Sequence, residues 1–449
     1  MFEHEPLLVT VRPATVPSAT RPKTTQDRPL GLRYGPRLTP FWSWSITLLL
    51  IFGSIRGIIV LNSTLSPATV YQSTAACLVL LSCYGYLKRG GYRGAELALL
   101  KKLLQLNLLL GILNIAVDLV LGAPLDFVSF LYVYLGPYVI FLFIRVPVRY
   151  LHTAIVIISV AISYSVFDNF FQTLSGPEGL QRVYAYNTTL RPDVFERLSR
   201  TGEFYRAGGY TGSYHDSANI LGMTASFLFI RFLLKRSFVD LGLFLLAIIS
   251  MTLTQSAVNI VVAVFTIIVF AGYTLIRSKR FSTFLYLMIG IGGIIGLTVK
   301  FGSGMAIFAT RVGGEGDWAG IGTQLGAASL LSAVPFALVG HAAAFGSEII
   351  HTEIGLLKGV FQLGIIHATI LYWLTLFPVF QFAKVRTRCS EALPAIAAVS
   401  FGFLSLLHYG SLHRVTNVFL FYAFCAIGLI HIINCTSSGD ELGTSSVAT

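Results

Sequence analysis

The feature that most constrains this chain is a succession of uninterrupted apolar runs, each about 20 residues long, joined by polar segments. Because hydrocarbon contains no water to bind backbone groups, such runs cross a membrane only as α-helices or as a closed barrel. Barrel strands would show shorter, alternating segments. The composition agrees, since 55% of residues are hydrophobic, 12% are charged and the mean hydropathy is +0.74. The sequence therefore predicts an all-α polytopic membrane protein and excludes a soluble globule or a disordered chain.

Hydropathy predicts about twelve transmembrane helices within residues 41–434. The predicted spans are 41–62, 66–87, 99–121, 124–144, 150–168, 218–234, 238–254, 256–276, 281–300, 353–380, 392–411 and 415–434. Residues 1–40 are basic and rich in Pro and Thr, without the short apolar core of a signal peptide, so we expect a flexible cytoplasmic tail there. Residues 435–449 are predicted to form a second cytoplasmic tail.

Basic residues cluster in the connections predicted to lie on the same side as the N-terminal tail, as at Lys88, Arg145 and Lys235. This asymmetry is the positive-inside pattern, and it predicts that both termini are cytoplasmic. The net charge of +12 is then explained by topology and contact with anionic membrane lipid, not by nucleic acid.

Two long polar segments, about 169–217 and 301–352, are predicted to lie on the opposite, outer side. They are far longer than the joints of about two to eight residues that usually connect packed helices, so we expect function there. Neither segment contains any of the five cysteines. The sequence predicts no disulfide framework, no metal site and no cofactor.

The first outer segment contains an arginine followed by a glycine-rich turn. Arg206 can bind phosphate oxygens through its planar guanidinium group, and Gly208 and Gly209 let the backbone approach a ligand closely. These residues are candidates for binding a diphosphate and the rest of a substrate. The alternative is an ordinary loop in which Arg206 pairs with Glu203.

The same segment ends in a polar run at the mouth of the next helix. Asp216 or Ser217 is predicted to cap that helix, whose N-terminus would add backbone donors for an anion. His215 and Asn219 would lie close to this point as substrate-binding residues. The alternative is a helix cap without any ligand.

The second outer segment contains another arginine before glycines. Arg311 is a candidate second ligand for a diphosphate, and its alternative partner is Glu315 in a local salt bridge. His341 follows Gly340 in a segment predicted to re-enter the membrane, and it is a candidate substrate ligand. Arg414, in the short outer turn before the last span, is a third candidate for the diphosphate.

The segment closes on His351, Thr352 and Glu353 just before the tenth predicted span. Ionisable groups are costly at membrane depth and usually mark functional sites. We therefore expect His351, with Glu353, to be catalytic, and Lys358 to contact the substrate from the helix that follows. The alternatives are a polar cap for His351 and a lysine that reaches to the interface for Lys358.

Charged residues inside other spans have structural interpretations. Asp118 and Asp126 are candidate counter-ions for Arg56, and Arg231 is expected to reach lipid phosphate near the inner end of its span.

The order of these features resembles the O-antigen ligase and Wzy-type polysaccharide polymerase family, membrane glycosyltransferases of the GT-C class. The resemblance covers about residues 200–370. It rests on Arg206, Gly208, Gly209 and 215–219 in the first outer segment, and on Arg311, 339–341 and 351–354 running to Gly364 in the second. Family ligases commonly have Asn directly after the histidine, whereas this chain has Thr352, which favours a polymerase over a ligase.

The resemblance implies a GT-C-like fold in the bacterial inner membrane with the active site facing the periplasm. Its donor would be an oligosaccharide linked to undecaprenyl diphosphate, and its acceptor a lipid-linked repeat unit. Arg206 and Arg311 would hold the diphosphate while His351, helped by Glu353, acts as general base towards an acceptor hydroxyl. A chain-length regulator and a flippase are the candidate protein partners.

Three alternatives remain open from the sequence. A ligase would transfer the glycan to lipid A core, and a flippase or transporter would move a lipid-linked anionic glycan without chemistry. A transporter should show paired halves with broken helices in corresponding positions, and no such symmetry is visible in the sequence. A channel or an assembly scaffold is the third alternative.

Overall fold

A computed structural model gives the fold of the protein. It describes residues 38–55, 57–58, 67–88, 95–120, 122, 130–174, 207–211, 214–254, 256–278, 285, 289–290, 292–293, 338, 340, 355–387, 389–407 and 415–444. Every regular element in these ranges is helical. The α-helices are α1 Pro40–Ser54, α2 Pro67–Lys88, α3 Ala95–Val120, α4 Val139–Ile144, α5 Val148–Leu174, α6 Tyr214–Lys235, α7 Phe238–Leu253, α8 Ala257–Ser278, α9 Gly355–Leu363, α10 Ile365–Val385, α11 Leu393–Leu404 and α12 Val415–Thr444.

The described part of the chain contains six helices that are long and apolar enough to cross a membrane, α3, α5, α6, α8, α10 and α12. Shorter apolar helices accompany them, among them α1, α7 and α11. The prediction of an all-α polytopic membrane protein is therefore confirmed in its helical, membrane-spanning character. The ninth predicted span, 281–300, lies mostly outside the described residues, so the count of twelve spans stays a prediction.

Two helices form the centre of the bundle. α6 is almost wholly buried against α5, α7, α8 and α11, and α12 is buried against α4, α10 and α11. α6 carries many Ser, Thr and Asn side chains because its neighbours shield it from lipid. By contrast, α3 and α8 expose apolar side chains such as Leu109 and Phe265 on the bundle surface, as a lipid-facing helix requires.

Contacts between helix ends define two opposite faces of the bundle. The backbone N–H of Leu38 donates to the Arg145 carbonyl at 3.3 Å. The Arg277 guanidinium donates to the carbonyls of Arg386 and Thr387, each at 2.6 Å. We call this end, which holds connections predicted to be cytoplasmic, the basic face. The other end, which holds residues 207–211, is called the site face; which membrane side it faces stays a prediction.

The tenth predicted span, 353–380, is not one helix. The backbone of Gly364 has φ +81°, so α9 ends at Leu363 and α10 restarts at Ile365. A left-handed residue cannot continue a right-handed helix, and glycine adopts it without a Cβ penalty. The prediction of a continuous span was wrong at this point. At the C-terminus, α12 continues to Thr444, beyond the predicted end at 434.

Arg231 also differs from its expected role. Its guanidinium Nε lies 3.4 Å from Oδ2 of Asp240, a buried carboxylate on α7. The tight turn between α6 and α7 brings the two side chains together, and the Ser237 hydroxyl at this turn accepts the Asp240 backbone N–H at 3.3 Å. Arg231 therefore forms an ion pair within the protein, and this pairing keeps the buried Asp240 carboxylate from being left without a cation.

Candidate functional site

A buried turn, residues 207–211, lies on the site face. The Gly208 carbonyl accepts hydrogen bonds from the Thr211 hydroxyl at 3.2 Å and from the Ser217 hydroxyl at 2.6 Å. These two hydroxyls lie 2.8 Å apart. The Ala207 N–H donates to the Leu253 carbonyl at the end of α7, at 3.3 Å. The turn is thus held between the start of α6 and the end of α7.

Gly209 makes the closest approach of this turn to a neighbouring helix. Its φ is +60°, and a Cβ built on it would lie 2.5 Å from the Ser165 hydroxyl oxygen and 3.3 Å from that of Ser217. The tight turn predicted for these glycines is present at Gly209, and the group that the backbone approaches closely there is α5. The next carbonyl, on Tyr210, packs directly against Gly57 beyond the end of α1. Ligand binding by Gly208 and Gly209 stays a prediction.

The end of α5 at the site face contributes a polar cluster that was not predicted from the sequence. The Tyr210 hydroxyl donates to Oδ2 of Asp168, and Nε2 of Gln172 donates to the same oxygen at 2.7 Å. Burial, together with the hydrogen bond to Asp168, raises the pKa of Tyr210 above its ordinary value, so the phenol stays protonated at neutral pH. Asp168 and Gln172 are four residues apart on one helix face, and that spacing was the available signal.

His215 and Asn219 also lie four residues apart, on one face of the first turns of α6. Nδ1 of His215 lies 3.3 Å from the Ser256 hydroxyl, and Nδ2 of Asn259 donates to that hydroxyl at 2.9 Å. With Asn259 donating to Ser256, the Ser256 hydrogen can point to Nδ1, which leaves the ring proton on Nε2. Ser256 and Asn259 therefore position the imidazole from the start of α8. The sequence offered no signal for this contact because the partners are about 40 residues apart.

The predicted capping of α6 was wrong. The helix begins at Tyr214, so Asp216 and Ser217 lie within its first turns instead of preceding it. Ser217 uses its hydroxyl to hold the Gly208 carbonyl. Asp216 keeps the acidic character that favours a helix N-terminus.

Among the carboxamides on this face whose acceptor atom lacks a hydrogen-bond partner in the described part of the chain, two belong to almost fully buried residues. They are Oδ1 of Asn219, whose side chain belongs to a residue 1% exposed, and Oδ1 of Asn169, which is 0% exposed. Nδ2 of Asn169 is satisfied by the Ser165 carbonyl at 3.1 Å. An unsatisfied buried acceptor costs about 1–3 kcal/mol, so each marks a place where a donor is expected. Hydroxyl groups are donors of this kind.

The remaining predicted site residues are not brought together by the described part of the chain. Lys358 lies in α9, but its side chain is outside the described residues. The other predicted ligands and catalytic residues are also outside them: Arg206, Arg311, His341, His351, Glu353 and Arg414. Their convergence stays a prediction, as does the pairing of Arg56 with the buried Asp118.

All five cysteines carry free thiols. Among the described residues, no group of three or more His, Cys, Asp or Glu side chains is arranged to hold a metal ion.

Comparison with known proteins adds no assignment. No protein-family model matches the chain, and no curated protein matches it in sequence.

Proposed function

We propose that the protein is a membrane glycosyltransferase of the polysaccharide polymerase type. It would transfer a glycan from undecaprenyl diphosphate to a lipid-linked repeat unit, without a metal, at the periplasmic face of the bacterial inner membrane. The observation that carries the proposal is the buried polar turn 207–211, which is held by α5, α6 and α7 beside the imidazole of His215. Polar groups gathered at one end of an apolar bundle are expected where a polar headgroup is handled.

The turn supports the placement of the diphosphate. Arg206 directly precedes Ala207, whose N–H is tied to the Leu253 carbonyl. In the proposal Arg206 and Arg311, with Arg414, bind the diphosphate oxygens, because guanidinium groups match phosphate geometry and keep their charge. Gly208 and Gly209 allow backbone approach to the same group.

In the proposal the glycan binds to the polar side chains around the turn 207–211. His215 and Asn219 lie on one face of α6, and the unsatisfied acceptor of Asn219 matches a sugar hydroxyl donor. His341 and Lys358 contact the substrate from the second outer segment and from α9. Each of these contacts is a hydrogen bond, which suits a polyhydroxylated ligand.

The proposed reaction is a single displacement with inversion. A hydroxyl oxygen of the acceptor attacks the anomeric carbon of the donor, and the bond from that carbon to the diphosphate oxygen breaks. The electron pair leaves with the diphosphate, whose charge the arginines stabilise. His351 takes the hydroxyl proton as general base, and Glu353 orients the imidazole.

Purified protein in nanodiscs, given a repeat unit on undecaprenyl diphosphate, tests the proposal. We expect longer glycans by mass spectrometry without ATP, and a loss of about 100-fold or more in rate for His351→Ala. Arg206→Ala should also lose activity. The matched controls Arg149→Ala and His431→Ala alter residues near the basic face and should extend glycans normally.

The alternative functions give different results in the same experiment. A ligase would extend nothing until lipid A core is supplied, and a flippase would relocate the lipid without lengthening the glycan. Full activity in both Arg206→Ala and His351→Ala would refute the catalytic assignment.

A further inference from the structure

A second polar cluster lies buried in the bundle, away from the turn at 207–211. It joins Asn107 and Asn114 on α3 to His367 on α10. Nε2 of His367 lies 3.0 Å from Oδ1 of Asn107, and Nδ1 lies 3.2 Å from Nδ2 of Asn114. The imidazole also stacks on Tyr134, with ring centroids 5.3 Å apart. All four residues are buried.

The hydrogen bonds determine the tautomer of this histidine. Nδ2 of Asn107 donates to the carbonyls of Val133 and Tyr134, at 3.2 and 3.1 Å, so Oδ1 is the acceptor that faces His367. Nε2 of His367 must therefore carry the proton, and Nδ1 accepts from Asn114. Both ring nitrogens are satisfied in the neutral form. Val133 and Tyr134 belong to the π-helical turn Phe130–Leu135, a conformation often found near functional sites.

The same cluster replaces a backbone hydrogen bond that the helix break removes. In a continuous helix the Leu363 carbonyl would accept from the N–H four residues later, on His367. Because Gly364 turns the chain, the Leu363 carbonyl accepts from Nδ2 of Asn114 instead, at 3.1 Å. The break is narrow, since Gly364 N–H still donates to Val360 and Ala368 N–H to Gly364, both at 2.9 Å. Asn114 thus uses its two amide hydrogens on the two sides of the break.

A third segment of chain meets this break. Gly340 has φ +79°, and a Cβ built on it would lie 2.5 Å from the Gly364 nitrogen and closer still to the Leu363 carbonyl carbon. The backbone before His341 is therefore packed directly on the peptide that Asn114 holds. Any side chain at Gly340 would displace one of the two segments.

We infer that Asn107, Asn114 and His367 form a positioning cluster that holds the α9–α10 break and the Gly340 backbone in one arrangement. α9 carries Lys358 and follows Glu353 in the chain, and Gly340 precedes His341. The cluster thereby determines where both chain segments enter the proposed site. Its effect on catalysis rests on the proposed function, whereas its effect on α9 does not.

Hydrogen–deuterium exchange of the full-length protein in nanodiscs tests the inference. Asn114→Leu removes the donor to Leu363, and His367→Phe keeps an aromatic ring against Tyr134 but removes both hydrogen bonds. We expect amide exchange in residues 355–364 to accelerate by about tenfold in each variant, the effect of losing one to two hydrogen bonds. The milder variant His367→Gln, which retains a donor, should lie between these and the wild type.

Thr375→Val is the matched control, since Thr375 is also buried on α10 but its hydroxyl donates within its own helix, to the Tyr372 carbonyl at 2.7 Å. It should leave exchange in residues 355–364 unchanged. An exchange rate in residues 355–364 of Asn114→Leu equal to that of the wild type would overturn the inference, as would acceleration spread equally over α3 and α10.

Glycan extension is a second readout. In the Asn114 and His367 variants we expect a lower kcat, with a KM for the donor within about twofold of the wild-type value. If Asn114→Leu accelerates exchange in α9 but the wild-type protein extends no glycan, the positioning cluster is supported and the transferase is refuted. If the wild-type protein extends glycans but Asn114→Leu leaves exchange unchanged, the transferase is supported and the cluster is refuted.

Discussion

Replacing Gly209 with alanine tests how firmly the turn 207–211 is held. Two costs add. A non-glycine residue in the left-handed region costs about 1–2 kcal/mol, and φ at Gly209 is +60°. The added Cβ would also lie 2.5 Å from the Ser165 hydroxyl oxygen, and such overpacking costs about 1–3 kcal/mol. We therefore expect Gly209→Ala to destabilise the protein by about 2–5 kcal/mol.

Two other glycines separate the terms. Gly122 has φ +68° with no atom within 4 Å of its added Cβ, so Gly122→Ala should show the backbone cost alone, about 1–2 kcal/mol. Gly242 lies in α7, also with open space around its Cβ. Gly242→Ala should stabilise the protein by about 0.5–1 kcal/mol, because alanine favours the helix. Ser165→Ala combined with Gly209→Ala should recover most of the steric term.

The measurement is reversible unfolding in detergent micelles or by steric trapping, with glycan extension assayed in parallel. The reasoning predicts the order Gly242→Ala, Gly122→Ala, Gly209→Ala from most to least stable. A Gly209→Ala variant no less stable than Gly122→Ala would refute the close approach to α5. Recovery of stability without recovery of activity in the double variant would show that the turn itself, and not merely its packing, is needed for function.

Three further predictions concern polar pairs. Because burial and its carboxylate partner raise the pKa of Tyr210, the stability from this neutral phenol is complete below pH 10, its unperturbed pKa, and is lost as pH rises through the raised value. Tyr210→Phe should therefore be less stable than wild type below pH 10, and the difference should shrink as the pH rises above 10, whereas equal stability below pH 10 would contradict this. Arg231→Leu leaves Asp240 buried without its cation and should cost about 3–5 kcal/mol, whereas adding Asp240→Leu should restore most of that stability in a thermal melt. Ser256→Ala frees Nδ1 of His215 from its positioning bond and should shift the ¹⁵N chemical shifts of that imidazole and slow glycan extension about tenfold, with unchanged shifts counting against the contact.

Much of the helical framework was predictable from the sequence. The span predicted at 238–254 is the helix Phe238–Leu253, and that at 150–168 lies within Val148–Leu174. The length of an apolar run is a local property, and a chain in hydrocarbon must bond its own backbone, so position in the sequence determines the helix. The turn at Gly208 and Gly209 was predictable for the same reason, because a glycine pair permits a tight turn whatever the turn packs against.

The contacts that position the site were not predictable in this way. His367 bonds to asparagines about 250 residues earlier, and His215 to a serine about 40 residues later. Nothing local to these residues names their partners, because a buried amide can satisfy any donor or acceptor that packing brings to it.

The sequence by itself therefore determined that the membrane segments are helices and roughly where they lie. The length of each apolar run and the need to satisfy backbone hydrogen bonds within each span are the reasons. Only the tertiary structure decided that the tenth span breaks at Gly364 and that the turn at Gly209 packs on α5. It also decided that Arg231 pairs with Asp240. These depend on which side chains meet across helices, and a buried polar group takes its role from the partner that packing provides.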